Sequence, residues 1–149
     1  MTPQHSGMAD QVWQNILGEA QQTSAAEPIL APFLQATILD HSNMGQGLSY
    51  HLCSKLACAA MPAPMLRDIM DKVFAEPAIV QAAARDIQAT VDRDSACNLV
   101  SSPFVYFKGF LALQAYRVAD SLWQSNQRSV ALLMQHGISL GFAVYMHPA

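Results

Sequence analysis

Apolar residues recur along most of this chain at intervals of three and four, the spacing of amphipathic helices rather than the alternation of half-buried strands. Val12, Trp13, Ile16, Leu17 and Ala20 share one stripe and predict a first helix over about residues 9–23. Ser24-Ala-Ala-Glu27 has the form of a capping box, predicting a second helix that carries Ile29, Leu30, Phe33, Ile38 and Leu39 to about His41. Pro28 suits its first turn, but Pro32 lacks an amide donor and predicts irregularity there. Ser42-Asn43-Met44-Gly45 reads as a turn and cap, followed by a third helix bearing Leu48, Leu52 and Leu56.

Met61-Pro-Ala-Pro64 breaks the chain before a fourth helix with Met65, Leu66, Ile69, Met70 and Val73, running to about Ala75. Pro77 suits the first position of a fifth, reaching about Val91, and residues 92–100 are polar and irregular. Ser102 and Pro103 form a cap and first-turn pair for a long sixth helix from Phe104 to about Ser125, and a seventh runs from about Gln127 to Phe142. These elements predict an all-α protein of about seven short-to-medium helices, one domain spanning residues 1–149, with no repeat or low-complexity linker.

Composition sharpens this picture. Alanine and leucine far outnumber valine, which favours helix on intrinsic propensity. Charged residues are only 13% of the chain against 52% hydrophobic, leaving little charge to cover a monomer's surface, so self-association is expected. A net charge of -3, with eight scattered Lys and Arg, offers no field for a phosphate backbone or an anionic membrane, and neither is expected as a partner. The charge-free stretch from Ser129 to Ala149 is interrupted by Gln135, His136, Gly137 and Ser139, and reads as a buried helix rather than a membrane span. Cys53, Cys58 and Cys97 match neither a disulfide framework nor a zinc knuckle; with no basic, apolar leader at the N-terminus, they read as reduced thiols in the cytoplasm.

Few residues suggest chemistry. Gly45-Gln-Gly47 lacks the strand and further glycines of a phosphate loop. His51, Cys53 and Cys58 do not converge on one helix face as metal ligands would, and read as core cysteines and a boundary histidine; no metal is expected. The other histidines, His5, His41, His136 and His147, do not cluster, and no serine sits on the strained elbow of a hydrolase. The informative stretch starts at Asp86-Ile-Gln-Ala89, continues through Arg93-Asp94, and ends in Tyr106-Phe-Lys-Gly109-Phe-Leu-Ala-Leu-Gln-Ala-Tyr-Arg117. Gly109, read as mid-helical, predicts a close backbone approach by another element. Arg117 beside an apolar stripe needs a partner, with Asp86 or Asp94 available, either as a structural ion pair or as part of a substrate site.

These runs resemble the N-terminal helical domain of bacterial serine O-acetyltransferases. Further matches are Val12-Trp13, Glu27-Pro28, Ala36-Thr-Ile-Leu39, Leu48-Ser-Tyr50, Lys55-Leu56, Met61-Pro-Ala63 and His147-Pro-Ala149. The resemblance implies an orthogonal, bundle-like helical domain and, for the family, acetyl transfer from acetyl-CoA to L-serine, giving O-acetylserine in cysteine biosynthesis. It implies that Asp94 binds the substrate serine and the feedback inhibitor cysteine, and leaves the roles of Arg93 and Lys108 unassigned. It further implies assembly of trimers into hexamers, and a complex with O-acetylserine sulfhydrylase only through a C-terminal tail that these residues do not contain.

The family's left-handed β-helix of hexapeptide repeats, which binds acetyl-CoA and supplies the catalytic histidine, is also outside residues 1–149, so no catalytic or cofactor-binding residue is expected here. Tyr145 stands where the family has the aspartate that orients that histidine. The alternative reading is a non-catalytic helical oligomerisation module, a truncated or diverged relative.

Overall fold

A computed structural model describes residues 7–143 and 146–149, and among them every regular element is helical. The eight α-helices are α1 (Gly7–Ala26), α2 (Ala31–Leu34), α3 (Met44–Leu56), α4 (Ala63–Val73), α5 (Pro77–Arg93), α6 (Ser101–Tyr106), α7 (Lys108–Gln124) and α8 (Arg128–Phe142).

The expected capping box does not form. Helix α1 runs through Ser24 to Ala26, and the Ser24 hydroxyl is buried without a partner among the described residues. A strong helical stripe overrides a local cap when tertiary packing holds the helix together. The irregularity expected at Pro32 is present: a 3₁₀ turn at Pro28–Leu30, the short α2, and a π turn at Gln35–Leu39. Asn43 caps α3 as expected, its side chain accepting the Gln46 amide at 2.9 Å.

The core joins Trp13 and Ile16 of α1, Leu48 and Leu52 of α3, Phe104 of α6, Leu111 of α7 and Met134 of α8, all essentially without solvent exposure. Each such side chain contributes about 1.5–3 kcal/mol relative to leaving it in water. Trp13 packs edge to face on Phe104, with ring centroids 5.3 Å apart, and donates its indole N–H to the His41 carbonyl at 3.2 Å. Gly47 is small of necessity, since a Cβ there would lie 2.5 Å from the Trp13 ring. Helices α7 and α8 share the most extensive pairing. They are joined by a tight turn in which Asn126 takes a left-handed conformation (φ 63) and Gln127 N–H reaches back to the Leu122 carbonyl at 2.9 Å.

The long sixth helix of the sequence reading is two helices. Phe107 is extended (φ -82, ψ 107), ending α6 and opening α7. A continuous apolar periodicity does not reveal a break of a single residue. Its consequence is that Gly109 stands in the first turn of α7, not mid-helix, and a Cβ there would meet nothing within 4 Å. No element of the described residues makes the close approach that was expected.

Candidate functional site

Asp94 follows the last residue of α5 in a conformation that ends the helix (φ -103, ψ 102). Its amide closes the helix on the Thr90 carbonyl at 3.0 Å, and its Oδ1 accepts the Ala96 amide at 2.9 Å. The Cys97 amide donates to its carbonyl at 2.9 Å. This local folding is the ordinary behaviour of an aspartate that bonds its own backbone two residues on. The side chain is exposed and pairs with no cation of the described residues.

Asp94 lies on the rim of an open cleft of about 630 Å³ between α5 and the α6–α7 junction. Arg93 and Thr90 line the α5 side, and Phe107, Gly109 and Phe110 the other. The glycine, where no backbone approaches, thus borders open space. Lys108 is exposed at the start of α7 and is not part of the lining. The arrangement offers a carboxylate without a cation partner, one oxygen of which is bonded to the Ala96 amide, near the apolar Phe107 and Phe110, suited to a small ligand bearing an ammonium group.

The ion pair foreseen for Arg117 is made with Asp86, not Asp94: an Arg117 η nitrogen lies 2.7 Å from Asp86 Oδ2. Gln114, fully buried, donates to the same oxygen at 2.8 Å. This three-residue bridge ties α5 to α7 beneath the cleft, and Asp86 also forms part of the cleft wall. Its Gln114 Oε1 and Arg117 Nε atoms are buried without partners among the described residues.

His51 is buried, not at a boundary as its spacing suggested. Its Nε2 lies 3.0 Å from the Val105 carbonyl near the end of α6, and its ring stacks on Phe104 at 5.5 Å. Burial, aided by the nearby Lys55 charge and opposed by the carbonyl bond, pushes its pKa down to about 4. A neutral imidazole donating Nε2–H to Val105 fits this environment. Of the two cysteines expected in the core, Cys53 is buried but Cys58 is exposed; Cys97, for which no core place was expected, is buried. Burial raises the thiol pKa of both buried cysteines.

Tyr145 lies outside the described residues. Beyond it, Pro148 is buried, and His147 meets Trp123 of α7 edge to face at 5.0 Å. The Tyr116 hydroxyl donates to the Ala149 carbonyl at 3.2 Å, so this segment is docked on α7. No helix among the described residues is long and apolar enough to cross a membrane.

The family profile "Serine acetyltransferase, N-terminal" matches residues 12–115. Serine acetyltransferase of Haemophilus influenzae is 48% identical over 139 residues, covering 93% of this chain and 52% of the relative. The chain therefore spans about half the length of that curated relative. A solved serine acetyltransferase in complex with CoA superposes with a TM-score of 0.92 at 47% identity, over 95% of this chain and 61% of the other. One in complex with cysteine superposes with a TM-score of 0.90 at 47% identity, over 93% and 58%.

Proposed function

From the premise that the chain belongs to the serine acetyltransferase family and carries its N-terminal helical domain, we propose that it forms the serine-side and assembly part of a serine O-acetyltransferase. The reaction is transfer of an acetyl group from acetyl-CoA to the hydroxyl of L-serine. The observation that carries this reading is the unpaired Asp94 on an open cleft, with Arg117 already engaged by Asp86.

In this reading the Asp94 carboxylate accepts the substrate ammonium through charge-assisted hydrogen bonds and orients the hydroxyl toward the acetyl donor. L-cysteine presents the same ammonium and differs from serine by one atom, so it competes for the same carboxylate. The coenzyme A site and the activating histidine belong to the family's β-helix, outside residues 1–149. Tyr145 stands at the position of the carboxylate that would orient that histidine, and a phenol of pKa about 10 is uncharged at neutral pH and does not stabilise an imidazolium.

Self-association is proposed from the low charge together with exposed apolar side chains such as Ile29 and Leu140, and its form as trimers assembling into hexamers from the family resemblance alone. The cytoplasm is the compartment proposed for this biosynthesis. A partnership with O-acetylserine sulfhydrylase is proposed only for a C-terminal tail beyond these residues.

The test is a chimera in which residues 1–149 continue into a family β-helix, with Tyr145→Asp. Asp94→Asn in that protein should raise the KM for serine and weaken inhibition by cysteine; unchanged serine kinetics would refute the assignment. Tyr145 itself favours the second reading, a non-catalytic assembly module. That reading predicts a chimera retaining Tyr145 that self-associates without forming O-acetylserine.

A further inference from the structure

The loop leaving Asp94 is held by a residue that is distant in the chain and does not line the cleft. Glu19 projects from α1, and its two carboxylate oxygens accept the amides of Val100 (3.0 Å) and Ser101 (2.8 Å). These amides open α6, which has no side-chain cap of its own. The expected Ser102 cap is replaced by a carboxylate from across the fold, which satisfies two otherwise orphaned donors and sits at the positive end of the helix.

The geometry reaches the cleft in two directions. Upstream, residues 95–99 hang between the Glu19 clamp and the Asp94 carboxylate, which holds Ala96. Downstream, α6 is a short helix followed directly by the extended Phe107, a wall of the cleft. Whatever fixes the start of α6 therefore places both Phe107 and the loop relative to Asp94.

We infer that Glu19 is a positioning residue for this cleft: it clamps the start of α6 and so sets the shape of the ligand site, an inference that rests on reading Asp94 as the ligand carboxylate. Within the clamped loop, Cys97 is 7% exposed and its thiol donates to the Leu99 carbonyl at 3.5 Å. It is a built-in reporter of loop opening.

The experiment compares the full chain with Glu19→Asp, which keeps the charge but withdraws it by one methylene, and with Glu19→Gln, which keeps the reach and loses the charge. Alkylation by N-ethylmaleimide is followed by mass spectrometry at Cys97, with the buried Cys53 of α3 as internal control. In Glu19→Asp, Cys97 should react about tenfold faster, the loss expected of a helix cap, while Cys53 does not change. Amide exchange at Val100 and Ser101 should accelerate with it.

In the second arm, L-serine is titrated against the loop amides by nuclear magnetic resonance, and its affinity should fall several-fold in Glu19→Asp. Unchanged Cys97 labelling, or Cys53 and Cys97 rising together, would overturn the clamp. An opened loop with undiminished serine affinity would overturn its positioning role. Absence of serine binding to the parent chain would instead count against the functional reading, leaving the labelling result to decide whether the clamp exists.

Discussion

Asp86 and Arg117 meet at 2.7 Å between α5 and α7, and this pairing leaves Asp94 without a cation. An aspartate in the middle of α5 and one just past its end are thereby separated into a structural ion and an available one. Asp86 is 27% exposed and Arg117 29%, so the bond is partly screened by solvent.

Replacing Asp86 by Asn removes the charge that Arg117 and Gln114 both address, and should lower stability by about 2 kcal/mol. Asp94→Asn keeps an oxygen for the Ala96 amide, so its cost should stay within about 0.5 kcal/mol. Urea unfolding of the two variants measures the contrast directly. Equal losses would mean that Asp94 also carries structural load.

The buried His51 makes stability depend on acidity. Its folded pKa of about 4 lies below the ordinary 6.5, so the unfolded chain binds the proton more readily. The stability owed to the neutral ring is complete above pH 6.5 and is lost as pH falls toward 4, with a loss of about 2 kcal/mol by pH 5. His51→Gln retains a donor for the Val105 carbonyl and should flatten this part of the profile relative to the parent. Paired denaturation curves at pH 7 and pH 5 provide the measurement.

Two glycines should respond in opposite directions to the same substitution. Gly47→Ala drives a methyl group into the Trp13 ring, and overpacking of this kind costs about 1–3 kcal/mol. Gly109→Ala meets open space on a helix and should stabilise by up to about 1 kcal/mol. Melting temperatures of both variants test whether α1 and α3 cross as tightly as described and whether the cleft mouth is open.

Helical periodicity made most elements legible because each helix is built largely from local bonds and a stripe facing one core. The stripe through Val12, Trp13 and Ile16 located α1, and Asn43 marked the start of α3. The Phe107 break was not legible, because apolar residues continue on both sides of it and nothing local announces a one-residue change of ψ. The same blindness misplaced Gly109. Ser24 failed as a cap because continuation of α1 won over a local hydrogen bond.

The candidate site divides in the same way. The sequence by itself determined the all-helical class, the scarcity of charge and, through the Asp86 to Arg117 motifs, the family; Asp94 as its ligand residue is a proposal that the resemblance suggested. Only the tertiary structure decided which aspartate meets Arg117, that His51 is interior, and that Glu19 reaches the amides of Val100 and Ser101. These are contacts between residues distant in the chain, set by how helices cross, and no local periodicity encodes the distance between two side chains on different helices.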